Sequence, residues 1–313
     1  MPSYSGKFSR GRIVTTIPMC GPYDFGLYPK LFVHQEDSYL PFRYSTSRWS
    51  RLIELDNGYP VPTLVTCEYD PDPTLRLTFM TDLSGPMIRT LKSKVAASFC
   101  ANLDLEPLYC LASLNAGLKR LMRELNGLRP HLSIDPFESL IKVIVRQVVR
   151  ATTAQRLIDN LVRKFGNYVR VGEDIYFSFP TPETLATAHK RDLLDCRIGY
   201  KWNVIREVSR DVVEGDLDFE QLQQLPDEEV VSFLCDYKWI GPWTSRVFLY
   251  DGLHRLNAYP EFDISIRKAT AGLRLGGTLK EIECEGSTTL QPLWGAMVSY
   301  LFGSLWASKL SRC

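Results

Sequence analysis

Asp263 lies in the segment AYPEFDISIRKA, Ala258 to Ala269, after a proline-containing loop and before a predicted helix. Two kinds of chemistry suit that place. An aspartate at a helix start accepts a backbone N–H and stabilises the helix by about 1 kcal/mol. The positive end of the helix also keeps a carboxylate anionic, as needed to stabilise positive charge on a sugar or to orient a water molecule. The segment alone is compatible with both roles.

A second constellation precedes it. KWIGPWTSRVF, Lys238 to Phe248, falls between a helix opened by Pro226-Asp227-Glu228-Glu229 and a second helix with Pro242 in its first turn. Two helices meeting at so tight a hairpin turn backbone N–H groups and a helix N-terminus outward. That arrangement is a seat for one phosphate, with Gly241 admitting it close to the backbone. An ordinary helix–helix corner has the same sequence texture. Trp239 and Trp243 bracket Gly241, and Tyr300, Phe302 and Trp306 follow in the last predicted helix. Such aromatics serve as core or as a π face for an electron-poor ring.

Between Ile141 and Arg170 the cations Lys142, Arg146, Arg150, Arg156, Arg163, Lys164 and Arg170 face a single acid, Asp159. Lys142, Arg146 and Arg150 stand four apart, so one continuous helix would carry them as a basic stripe along a phosphate backbone, or as a solvated face.

The elements that must position these groups differ along the chain. From Arg12 to about Thr81, Tyr, Phe, Val, Thr and Pro dominate, and turns such as Asp56-Asn57-Gly58 and Asp70-Pro71-Asp72-Pro73 cut the chain into short predicted strands. Ser84-Gly85-Pro86 then opens a predicted helix with Met87, Leu91, Val95 and Phe99 on one face. Beyond Leu103 the pattern is of amphipathic helices, among them PFESLIKVIVRQVV, TAQRLIDNLVRKFG and DEEVVSFLCDY. Neither a repeat nor a long linker separates the halves, so they are expected to pack as one body.

Composition narrows the function classes without naming one. The chain has 313 residues, 45% of them hydrophobic, and Lys plus Arg is 37 against 36 Asp plus Glu. A net charge of +1 leaves any basic footprint local. The eight cysteines form no C-x-x-C pair and no Cys/His spacing for zinc or an iron–sulfur cluster, and are read as reduced thiols. No signal-like start and no membrane-length apolar run is present, so an intracellular, soluble protein is expected.

Taken in order, NGLRP (Asn126 to Pro130), DPFESLIKVIVRQVV (Asp135 to Val149), FPTPETLA (Phe179 to Ala186), RIGYKWNVI (Arg197 to Ile205), the hairpin and the Asp263 segment resemble one family. It is the helix-hairpin-helix (HhH-GPD) DNA glycosylase superfamily, and specifically bacterial and archaeal 3-methyladenine DNA glycosylase II. The resemblance covers roughly the last two hundred residues. It implies an α+β protein with a TATA-binding-protein-like antiparallel sheet domain over 1–105 and a mostly α glycosylase domain over 106–313.

The resemblance makes Asp263 the catalytic carboxylate, since Asp263-Ile264-Ser265-Ile266-Arg267 fits the family's D-x-x-I pattern followed by basic residues. Trp243, Tyr300 and Phe302 become pocket residues. Arg146, Gln147, Val148, Arg150, Trp239, Gly241 and Thr244 become DNA contacts, with Val148 the wedge into the gap left by a flipped nucleotide. Strand-cleaving members carry a lysine nucleophile where Trp243 stands, so hydrolysis without a Schiff base is implied. No metal ligand or required cofactor is expected; the resemblance implies hairpin carbonyls as a candidate seat for a structural monovalent cation. The implied partner is double-stranded DNA with damaged bases, bound by a monomer in the cytoplasm with the nucleoid, or in a nucleus.

Three positions depart from the family. Trp239 replaces the first hairpin glycine, from which loss of a positive-φ conformation is expected. Arg146 stands where glycine is frequent, and Trp294 where arginine is frequent. Two alternatives accompany the alkylated-purine reading: a glycosylase for hypoxanthine, uracil or an oxidised purine, and a DNA-binding protein that keeps the hairpin without catalysis.

Overall fold

The computed structural model describes residues 11–32, 42–55, 58–113, 116–256, 258 and 263. Tyr300 and Phe302, and with them Trp294 and Trp306, lie outside the described residues.

The N-terminal half forms an antiparallel sheet of β1 (Ile13–Pro18), β2 (Phe42–Tyr44), β3 (Trp49–Glu54), β4 (Pro60–Glu68) and β5 (Thr74–Phe79). The strand order is β1-β5-β4-β3-β2. Alternation sets its faces: Leu75, Leu77 and Phe79 of β5 are buried while Arg76 is exposed. The predicted helix is observed as Gly85–Ser98, and Leu91, Val95 and the following Phe99 pack with Trp49, Val61 and Val65 in the sheet's core.

The helical half centres on Pro136–Arg146. Asp135 caps this helix by accepting the Glu138 N–H at 2.9 Å, and Pro136 opens it. Residues Phe137 to Val145 are all buried, as expected of a helix enclosed on every side. Ala151–Phe165, Trp202–Glu214, Asp227–Cys235 and Pro242–Asp251 surround it and share one apolar core with it. A two-stranded ribbon, β6 (Tyr168–Val171) and β7 (Asp174–Phe177), interrupts what the sequence suggests to be almost all helix. It serves the junction: Leu52 of β3 packs with Val169 and Tyr176.

The basic stripe does not form. Lys142 is buried, pairing with Glu138 at 3.3 Å and donating to Ser133 Oγ at 2.8 Å. The helix ends at Arg146, and Arg150 is the N-cap of the next one. Only Arg146 and Arg150 retain exposure, on different elements.

Buried polar bonds fix the halves to each other. Arg51 of β3 reaches Glu138 Oε2 at 2.8 Å. Ser133 and Ser139 hydroxyls each donate to Asp251 Oδ2 at 2.6 Å, anchoring the last residue of the helix Pro242–Asp251. Gly127, within the NGLRP segment, has φ +81°, and a Cβ there would come within 2.7 Å of the Asp24 backbone nitrogen. Only glycine permits that close approach. Among the described residues, no helix is long and apolar enough to cross a membrane.

Candidate active site and nucleic-acid interface

The helices Asp227–Cys235 and Pro242–Asp251 are joined by a short hairpin. Buried Ile240 plugs it, and the Ile240 N–H donates to the Tyr237 carbonyl at 3.0 Å. Gly241 is the N-cap of the second helix in extended conformation, and a Cβ on it would meet nothing within 4 Å. The N–H groups of that first turn have no acceptor within their own helix, and the helix dipole adds positive potential there. This is the geometry of an anion seat.

Trp239 does not abolish the turn. It adopts φ +75°, the left-handed region in which the family has glycine, so the expected loss of that conformation is corrected. A bulky residue there stores of the order of 1–3 kcal/mol of strain, so its surroundings must over-determine it. The Trp239 carbonyl accepts Gln147 Nε2 at 2.8 Å, its ring lies 5.2 Å from that of Tyr200, and Lys238 Nζ lies 5.2 Å from the ring centroid.

Gln147 and Thr244, expected to face DNA, turn inward. Gln147 Nε2 also donates to Thr244 Oγ1 at 2.9 Å, and both side chains are buried. Their observed work is to tie the loop after the helix Pro136–Arg146 to the hairpin. Val148, next in the chain, does the opposite: it is 95% exposed at φ +56°. A β-branched residue in that region is strained, and this one is left in water.

Lys201 holds this loop from beneath, a part that charge counting along the sequence misses. It is 3% exposed, and its Nζ donates to the carbonyls of Val145 at 2.8 Å and Gln147 at 2.7 Å. These acceptors stand at the C-terminal end of the helix, where a cation complements the dipole and satisfies orphan carbonyls. Burial lowers the Lys201 pKa. The only sequence signal was its membership of RIGYKWNVI.

Asp263 meets the hairpin through Trp243. The Trp243 indole N–H donates to Asp263 Oδ2 at 3.1 Å, and both residues are half-buried. A carboxylate and a π face thus stand together beside the anion seat. The helix that Asp263 was expected to cap lies outside the described residues, as do Tyr300 and Phe302. Arg146 and Arg150 flank the Gln147–Val149 loop; the Arg146 charge acts on buried Asp251. Among the described residues, the carboxylates of Asp211, Glu214 and Asp216 lie within 4.8 Å of one another, at the end of the helix Trp202–Glu214 and not at the hairpin.

Residues 141–288 match the model of the HhH-GPD superfamily base excision DNA repair protein. The matched segment begins within the helix Pro136–Arg146 and includes the hairpin. A DNA-3-methyladenine glycosylase of Bacillus subtilis is 29% identical over 164 residues, 52% of this chain and 54% of that protein. The chain spans about half the length of the curated relatives it matches. A 3-methyladenine DNA-glycosylase from Archaeoglobus fulgidus superposes with a TM-score of 0.79 at 23% identity, over 92% of this chain and 97% of that one. The Clostridium acetobutylicum 8-oxoguanine glycosylase/lyase, in complex with dsDNA containing cytosine opposite to 8-oxoG, gives 0.64 at 21% identity, over 83% and 88%. Both likenesses reach beyond the matched segment into the N-terminal sheet, and at these identities they speak for the fold alone.

Proposed function

We propose that this chain is a monofunctional DNA glycosylase that releases alkylated purines of the 3-methyladenine and 7-methylguanine type from duplex DNA. The observation that carries the reading is the Trp243–Asp263 hydrogen bond at the hairpin, which sets a carboxylate and an indole face side by side. The Bacillus subtilis relative's name points to the same substrate class.

In this reading, the hairpin N–H groups take one phosphate, and exposed Val148 enters the gap from which the damaged nucleotide is flipped. Flipping costs a few kcal/mol and is least costly where pairing is already weak. An N3- or N7-alkylated purine carries positive charge, which favours stacking on an aromatic face such as that of Trp243. When the C1′–N bond breaks, its electron pair goes to the base, which leaves neutral without needing a general acid. Asp263 stabilises the oxocarbenium-like sugar and orients water. The water oxygen then bonds C1′ and loses its proton, leaving an abasic site. Trp243 has no amine to form a Schiff base, so the reaction ends at hydrolysis.

Among the described residues, the Tyr237 carbonyl accepts a hydrogen bond from Ile240 N and the Trp239 carbonyl one from Gln147 Nε2, and a carbonyl oxygen has two lone pairs. These carbonyls are the hairpin's candidate ligands for a structural monovalent cation, whose charge would favour the phosphate; no step of base release depends on it. The reading includes a monomer acting on DNA in the cytoplasm or nucleus.

The test is base release from alkylated duplex, comparing the native chain with Asp263→Asn at one salt concentration. Release of methylated purines by the native chain, lost in the variant while duplex binding persists, is the expected result. Release unaffected by the substitution removes Asp263 from the chemistry. Absence of release from any damaged substrate leaves a binding-only protein.

A further inference from the structure

Three exposed apolar side chains converge at one place. Val148 is 95% exposed, Trp239 54% and Tyr200 48%. Gln147 bonds the Trp239 carbonyl, Lys201 bonds the Gln147 carbonyl, and the Tyr200 ring lies 5.2 Å from that of Trp239 at an interplanar angle of 53°. Each of the three thus neighbours a residue of a single bonded set. At position 239 the backbone is left-handed, which glycine would occupy without strain and with no indole in water. The chain instead carries a large ring there at a conformational cost, and such outliers concentrate where a ligand is met.

The charge around the patch defines the ligand. Lys238 Nζ lies 5.2 Å from the Trp239 ring, and the start of the helix Pro242–Asp251 adds positive potential. An apolar aromatic face beside positive charge matches a base attached to a phosphate backbone better than it matches an uncharged protein surface. We propose that Trp239, supported by Tyr200, is a stacking face for an unstacked nucleobase of the bound DNA, next to the gap that Val148 enters. This rests on the DNA-binding part of the proposed function. Stacking of this kind tolerates any base, because each has a π face.

The decisive variant is Trp239→Gly, which removes the ring and relieves the backbone. Anisotropy titrations at one salt concentration would compare the native chain, Trp239→Gly and Tyr200→Ala on a duplex with a stable abasic-site analogue and on an intact duplex. Trp239→Gly should weaken binding to the abasic duplex by about five-fold or more, the lower end for one base–aromatic stack. The loss on intact duplex should be smaller, Tyr200→Ala should fall in between, and the Tm of Trp239→Gly should not drop. Tryptophan quenching on binding should also be smaller in Trp239→Gly. If that variant binds the abasic duplex as tightly as the native chain, with equal quenching, the stacking face is refuted while DNA binding stands. If instead the native chain self-associates in sedimentation and Trp239→Gly does not, with DNA affinity equal, the patch is a contact between copies. If the native chain binds neither duplex, the functional reading and this inference fall together.

Discussion

The indole N–H of Trp243 points at Asp263 Oδ2 across 3.1 Å, from the first turn of one helix to a carboxylate twenty residues further along the chain. A donor in that position fixes where the second carboxylate oxygen faces. Under the proposed function the same side chain also offers its ring to a base, so that position 243 would combine orientation of the carboxylate with recognition.

Trp243→Phe separates the two roles, since it keeps an aromatic face and deletes the donor. Single-turnover base release should fall by about ten-fold, the equivalent of one hydrogen bond to a charged group, while abasic-duplex affinity changes by less than two-fold. A rate equal to that of the native chain would show that the bond does not orient Asp263.

Val148→Gly should move stability and activity in opposite directions. Glycine relieves the strain at φ +56°, offset in part by its greater unfolded-state entropy, so urea denaturation should show a change between zero and about 1 kcal/mol in favour of the variant. Base release should fall, because nothing then fills the gap beside the flipped nucleotide. Val148→Leu should retain release.

Lys201→Met deletes two buried hydrogen bonds and leaves the Val145 and Gln147 carbonyls without this cation. A loss of about 2–4 kcal/mol is expected, at about 1–2 kcal/mol per abandoned acceptor. Hydrogen exchange should rise locally at 146–149, and the affinity for abasic duplex should fall more than that for intact duplex. Uniform loss on both duplexes would mean that Lys201 is structural without positioning Val148.

Glu138 sits between Arg51 and Lys142, all three buried. Burial pushes its carboxyl pKa up, but the two cations outweigh this and hold it below the usual range. Glu138→Ala strands two buried charges and should cost about 3–5 kcal/mol, measured as a fall in Tm or failure to fold. Arg51→Met combined with Glu138→Leu should recover part of that loss.

Acid should weaken the fold in two stages. Burial lowers the His131 pKa to about 3, with Lys142 adding to the effect. The unfolded chain takes up that proton near its ordinary value of about 6.5 and the native chain does not, so stability falls as pH drops from there toward 3. Burial raises the Asp251 pKa, but Lys142, Arg146 and the Ser133 and Ser139 hydroxyls bring it down to about 2. Its contribution is complete above the unfolded carboxylate range and is lost as pH falls through about 2. Urea midpoints from pH 7 to 4 should decline in the native chain and decline less in His131→Phe.

Local pattern carried much of the architecture. Ser84-Gly85-Pro86 and Asp135-Pro136 announced their helices because a proline in the first turn, joined at Asp135 by a side-chain cap, is a property of adjacent residues. Alternation in β5 and 3.6-residue spacing in the helices marked the two halves, and the hairpin with Trp243 in place of lysine was legible as a string. The ribbon β6–β7 escaped because four-residue strands give too short a pattern to separate from loop.

What only the tertiary structure decided concerns partners distant in sequence. Lys142, Arg146 and Arg150 have helical spacing, yet the helix ends at Arg146 and Lys142 is drawn inward by Glu138 and Ser133. Trp239 keeps a glycine's conformation because Gln147, 92 residues away in sequence, bonds its carbonyl. Lys201 acts on carbonyls 54 and 56 residues earlier. Sequence determined the residue types and the local elements, since propensity and capping act within a few positions. Which charge is buried, which apolar side chain is left in water and which carboxylate meets which donor depend on how the helices close around the core, and periodicity does not encode that.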